Sequence, residues 1–158
     1  PRGSEKNLLR GRCSFPKEFD IDRYEIFQGE PKRLLHDGDS FELGNRLVEI
    51  VHTPGHSPGH CCFYEAERKY LYAGDLVYRG CLDAFYPTTD PREFLRSLKK
   101  LKKLEKLEID KLLPAHHGLP VPPDIIGRAA SAFEKLEREE KLYHGSGIFD
   151  FGDFQLRI

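Results

Sequence analysis

The chain has 158 residues, 39% of them hydrophobic and 32% charged, with a formal net charge of −1 at pH 7. That length suffices for one domain with a real core, and the near-zero charge removes any electrostatic case for a nucleic-acid or anionic-membrane partner. No apolar run approaches the ~20 residues that span a bilayer and no signal-peptide pattern opens the chain, so a cytoplasmic protein is expected. Methionine is absent, and Pro1-Arg2-Gly3-Ser4 reads as a tag remnant, which leaves residues 5–158 as the domain. The cysteines (Cys13, Cys61, Cys62 and Cys81) contain no C-x-x-C pair, so a zinc ribbon or redox dithiol is not expected. Buried or half-buried thiols in a reducing compartment are.

Residues 1–33 are charged and irregular. Leu34-Leu35-His36 reads as a strand end entering an Asp37-Gly38 turn. Phe41-Glu42-Leu43 and Arg46 to Val51, joined through Gly44-Asn45, give a hairpin signal. Then come His52-Thr53-Pro54-Gly55-His56-Ser57-Pro58-Gly59-His60. Their imidazoles recur at i, i+4 and i+8, the period of a helix face, but the Pro and Gly between them forbid a helix. The segment is a tight turn leaving a strand, and loops that gather imidazole on a rigid scaffold are where metal and acid–base sites are built.

Cys61 to Tyr64 and Lys69 to Ala73 follow as strands, Cys61 and Cys62 pointing to opposite faces. Residues 76–90 read as a loop rich in aromatics and turn formers. A helix starts with Asp90 as N-cap, Pro91 at N1 and Glu93 placed for a capping box. Phe94, Leu95, Leu98, Leu101 and Leu104 form its apolar stripe. Its lysines read as a solvated face partnered by Glu105 and Glu108. Lys111 to Pro114 is a short strand leading to Ala115-His116-His117-Gly118. A second helix is expected from about Asp124 to Tyr143, stopped near Gly145, and Ile148 to Ile158 reads as a hairpin around Gly152-Asp153. The order of elements makes an α/β domain or part of one.

Metal-competent side chains fall at three strand ends: His56, Asp75, and His116 or His117. Imidazole and carboxylate suit zinc, and a carboxylate can bridge two cations. Gly55 and Gly74 would let backbone approach such a centre closely. His36, His52 and His144 are read as hydrogen-bonded or surface histidines.

The stretch His52 to His60, followed by Tyr72-Ala73-Gly74-Asp75 and by Leu113-Pro114-Ala115-His116, resembles the metallo-β-lactamase superfamily, particularly its glyoxalase II-like and thioesterase-like members. The resemblance runs from about Leu34 to the C-terminal hairpin. It implies part of an αββα sandwich, a mixed sheet with flanking helices, carrying a dinuclear zinc site. It also implies a hydrolase in which metal-bound hydroxide attacks an ester, thioester or amide carbonyl of a small-molecule substrate. Carried over, it makes His56 a ligand of the first metal, Asp75 the bridging, catalytic carboxylate and His116 a ligand of the second metal. His116 is preferred to His117 because it follows Leu-Pro-Ala. His60 and His117 become supports behind the ligands, and Tyr78, Asp83 and Tyr86 fall near the substrate opening. The superfamily's H-x-H-x-D-H signature is not in this chain and is expected upstream of Pro1. Alone, the chain is therefore expected to bind zinc weakly, and to associate with itself or with the missing N-terminal segment. A non-catalytic fragment or binding module of the same fold is the alternative; a flavodiiron- or nuclease-type relative would need a further domain.

Overall fold

The computed structural model describes residues 20, 23, 32–103 and 108–158. Residues 1–4, Cys13 and the Leu104–Glu105 part of the helix expectation lie outside them. The chain divides into two compact units at Leu34, and the second, Leu35–Ile158, carries all the elements below.

Eight strands and two helices follow one another among the described residues: β1 (Ser40–Glu42), β2 (Leu47–His52), β3 (Cys61–Glu65), β4 (Tyr70–Gly74), β5 (Gly80–Asp83), α1 (Pro91–Lys103), β6 (Lys111–Pro114), α2 (Ile125–Arg138), β7 (Ile148–Asp150) and β8 (Phe154–Arg157). They form a mixed five-stranded sheet in the order β1-β2-β3-β4-β6 and a three-stranded sheet β5-β8-β7. The fold is α/β with flanking helices, as the sequence implied. Strands β1 to β4 are successively antiparallel, whereas β6 runs parallel to β4. The parallel step needs a crossover, and α1 supplies its helix.

Side-chain alternation decides what the large sheet buries. Val51, Cys62, Tyr64, Leu71, Ala73 and Leu112 share one core with Phe94, Leu98, Ile125, Phe133 and Leu136 of the helices. The two helices meet through Phe94 and Phe133, whose rings stack with centroids 4.9 Å apart. Across the same seam Lys99 faces Glu134 at 3.4 Å and Glu137 at 3.8 Å. Lys100 reaches Asp37 at 2.5 Å, and Glu108 pairs with Lys69. Among the described residues the acids that pair with Lys99 and Lys100 are thus non-local, and Glu108, expected to partner the helix lysines, pairs with Lys69.

Four local expectations change. Residues 34–36 are not strand, and the loop 76–90 contains β5, which pairs in parallel with β8. A short parallel strand whose partner lies at the far end of the chain leaves no local signal. Asp90 does cap α1, its Oδ1 accepting from the N–H of Arg92 at 2.9 Å and of Glu93 at 3.0 Å. Glu93 pairs with Arg96 instead of closing a capping box. Helix α2 stops at Arg138, well before Gly145, because Glu140 takes the left-handed conformation (φ 55). The amides of Glu140 and Lys141 then bond back to Glu137 and Leu136. This is a Schellman ending made without glycine, which is why glycine did not mark it.

The histidine turn between β2 and β3 is seated on α1. Ser97 Oγ donates to the Pro54 carbonyl at 2.5 Å and Lys100 Nζ to the His52 carbonyl at 3.0 Å. The Asp90 amide donates to the Gly55 carbonyl at 2.7 Å. Gly55 has φ 137, and a Cβ there would lie 2.4 Å from the Phe94 Cα. Elsewhere in this sheet the Glu65 side chain, wholly buried, accepts from Arg46 Nε at 2.8 Å and Nη2 at 2.7 Å, with Arg68 at 3.2 Å. A carboxylate without solvent needs this pairing, and the Arg46 hydrogen bonds hold its pKa below the ordinary 4.5.

Two outcomes test this packing. Gly55→Ala should be destabilised by about 1–3 kcal/mol of backbone strain and about 1–3 kcal/mol of overpacking. Gly59→Ala, which meets nothing within 4 Å, should keep the wild-type urea midpoint; equal midpoints for the two variants would contradict the seating. Because the folded pKa of Glu65 is depressed, its stabilisation is complete above about pH 4.5 and is lost as pH falls through the folded value. Glu65→Gln should therefore be less stable than wild type at pH 7, with the gap closing toward pH 2 in denaturant titrations. A gap independent of pH would assign the loss to something other than the charge.

Candidate metal centre

The register explains why distant residues meet. β2 and β4 are both antiparallel to β3 and so run the same way, and β6 is parallel to β4. The C-terminal ends of all three therefore share one rim of the sheet, the end at which α/β folds place their ligands. The turn after β2 delivers His56 and His60 there, Gly74 leads to Asp75, and Pro114-Ala115 leads to His116. Gly74 pairs with Pro114, and the Ala115 amide donates to the Gly74 carbonyl at 2.9 Å.

Asp75 sits between two imidazoles. His116 Nε2 lies 3.0 Å from its Oδ1 and His56 Nε2 lies 3.7 Å from its Oδ2. Asp75 Oδ1 is buried and makes no hydrogen bond despite the close His116 nitrogen, and His56 Nδ1 is likewise buried without a partner. A carboxylate oxygen and an imidazole nitrogen at contact distance, outside hydrogen-bond geometry, suit lone pairs converging on a cation. Among the described residues no group of three or more His, Cys, Asp or Glu side chains could hold a metal ion by itself. The donors thus fit a share of a metal site: one carboxylate with an imidazole at each oxygen.

His60 stands behind this pair. Its Nε2 accepts from the Asp75 amide at 3.1 Å, and its Nδ1 lies 3.0 Å from the Thr53 carbonyl and 2.9 Å from Thr53 Oγ1. Burial lowers its pKa and favours the neutral ring. His52, set aside as a metal candidate, bonds the Pro58 carbonyl through Nε2 at 2.9 Å.

His117 is held at φ 62 and stacks on Tyr78 with centroids 5.3 Å apart, while His116 meets the same ring edge-on at 5.7 Å. Gly80 leaves room for this, since a Cβ there would come within 3.1 Å of the His117 ring. Tyr78, expected at a substrate opening, is only 5% exposed and donates its hydroxyl to the Cys81 carbonyl at 2.7 Å. Burial, then the nearby Asp83 and Asp75 charges, push its phenol up to about 12. It therefore backs the two imidazoles as a neutral ring. Asp83 lies 3.7 Å from Arg157. The Arg157 guanidinium covers Phe85 at 4.4 Å and Tyr86 at 5.9 Å, both rings being partly exposed.

Sequence reasoning missed Thr53, Tyr78's supporting role and the α1 residues that hold the turn. Thr53 carried a usable signal, as a hydroxyl residue opening a Pro-Gly turn beside the candidate ligands. The α1 contacts carried none.

Acyl-coenzyme A thioesterase MBLAC2 of Homo sapiens is 35% identical over 95 residues, covering 60% of this chain and 34% of that protein. Hydroxyacylglutathione hydrolase GloC of Haemophilus influenzae is 34% identical over 116 residues, covering 72% of this chain and 53% of that protein. The chain thus spans between a third and about half of these relatives. An archaeal metallo-beta-lactamase superfamily protein from Sulfolobus tokodaii superposes with a TM-score of 0.52 at 21% identity, over 92% of this chain and 51% of that one, which supports the fold. The family profile described as "Metallo-beta-lactamase superfamily" matches residues 3–116, from before the first strand to His116 itself, and the chain belongs to that superfamily.

Proposed function

We propose that this chain carries part of the metal site of a zinc-dependent hydrolase that cleaves thioesters of small molecules. The observation that carries the reading is the Asp75 carboxylate set between His56 and His116 at one rim, with Oδ1 buried and unbonded. The names of its relatives, an acyl-coenzyme A thioesterase and a hydroxyacylglutathione hydrolase, support thioesters over β-lactams or phosphoesters.

In this reading His56 would hold one metal and His116 a second, with the Asp75 carboxylate shared between them. When bound, the metals supply an acidified water and a Lewis acid for the carbonyl oxygen. The chain's own residues then have distinct tasks. Asp75 offers one carboxylate oxygen toward each imidazole, Oδ2 toward His56 and Oδ1 toward His116. His60 holds the Asp75 main chain, and the Tyr78 ring limits how far His116 and His117 can swing. Phe85, Tyr86 and Arg157 offer an apolar and cationic ledge for the substrate's leaving portion.

On the intact protein, metal analysis should find zinc or a similar divalent ion, and a chelator should abolish thioester hydrolysis, with activity returning on zinc addition. Asp75→Asn should cost more metal affinity and activity than the about 10–100-fold typical of an outer supporting residue. Metal-free protein that hydrolyses thioesters at the full rate, or an Asp75→Asn protein that keeps it, would overturn the reading. Among candidate substrates, acyl-coenzyme A and acyl-glutathione thioesters should be turned over faster than β-lactams or phosphodiesters; the opposite ranking would move the chain to another branch of the superfamily.

A further inference from the structure

We propose that Thr53, His60 and Gly74 form a positioning relay that sets the Asp75 main chain, with His60 locked in one tautomer: Nδ1–H toward Thr53, bare Nε2 toward the Asp75 amide. The inference rests on the reading of Asp75 as a metal ligand only for its effect on metal affinity. The relay itself is a statement about the metal-free chain.

Donor and acceptor accounting leaves one arrangement. The Asp75 amide can only donate, so the His60 Nε2 3.1 Å away must accept and carries no proton. A neutral imidazole then has its proton on Nδ1, which faces the Thr53 carbonyl at 3.0 Å and Thr53 Oγ1 at 2.9 Å. The carbonyl can only accept, in agreement. Thr53 Oγ1 must also accept, and its own proton has a separate destination in Cys62 Sγ at 3.4 Å. Thr53 has no exposed surface, so no water substitutes for any of these partners. The string ends in the sheet, where Cys62 Sγ donates to the Ala73 carbonyl at 3.7 Å. Burial pushes the Cys62 thiol up to about 12, which keeps it protonated as the donor.

Gly74 is the steric half of the relay. Its φ of 53 turns the strand end so that the Asp75 amide faces His60, and a Cβ at Gly74 would stand 2.7 Å from His60 Nε2. A side chain there would displace the ring whose nitrogen receives the amide. The Gly-Asp pair therefore works as a unit: glycine admits the imidazole, and the imidazole orients the aspartate.

Imidazole nitrogen–proton correlation spectra of metal-free protein near pH 7 test the tautomer. His60 should show a protonated Nδ1 and a bare Nε2; an Nε2–H tautomer, an averaged pair or a doubly protonated ring would overturn the relay. His60→Ala should shift the Asp75 amide proton upfield and lower zinc affinity about 10–100-fold. Thr53→Val, which keeps the shape of the side chain, should do the same more weakly while Thr53→Ser stays near wild type; this series covers the case in which His60→Ala fails to fold. If Asp75→Asn abolishes zinc binding but His60→Ala and Thr53→Val leave it unchanged, the positioning role is wrong. If zinc binding ignores Asp75→Asn as well while the tautomer is as stated, the metal reading fails and the relay stands.

Discussion

The candidate centre depends on one close contact, the seating of the β2–β3 turn on the first turn of α1. Gly55 approaches the Phe94 backbone so closely that no side chain fits between them. Three hydrogen bonds from α1 and its cap, those of Ser97, Lys100 and the Asp90 amide, take up carbonyls of the turn. A Pro- and Gly-rich segment has little internal structure to hold its imidazoles still, and side chains near a metal must be held within fractions of an ångström. Here the rigidity is borrowed from a helix that is itself anchored by Phe94 on Phe133. The same helix closes the crossover from β4 to β6, so the element that steadies His56 also sets Asp75 and His116 on neighbouring strands.

Within that frame the electrostatics are unevenly satisfied. Glu65 in the same sheet is buried with every requirement met, by Arg46, Arg68 and Tyr72. Asp75, at the rim, keeps an oxygen buried and unbonded. Proteins rarely leave a carboxylate oxygen in that state, and the contrast between the two acids within one sheet is what singles out Asp75 as the candidate ligand. Membership of the metallo-beta-lactamase superfamily is consistent with that role.

The aromatic segment after Asp75 illustrates how position and environment part company. Tyr78 and Tyr86 are near in sequence and alike in chemistry, yet Tyr78 is buried beneath the two histidines and Tyr86 sits partly exposed beside Arg157. What separates them is β5, which turns the intervening residues into the edge of a second sheet. Arg157, from the far end of the chain, then completes the ledge.

Much of the α/β order and the three strand-end donors could be read from the chain because their signals are local. Alternating strands, the Asp90 cap, the breakers between the histidines and the Gly-Asp and Ala-His pairs all act within a few residues. The histidine turn with its downstream Gly-Asp was enough to name the superfamily. Other features came only from tertiary structure: β5 against β8, the ending of α2 at Glu140, the partners of the α1 lysines and the burial of Tyr78. The same holds for the different surroundings of His116, which reaches Asp75, and His117, which stacks on Tyr78. Each of these depends on pairing or packing between residues far apart in the chain, and a local pattern carries no record of which distant surface will cover it.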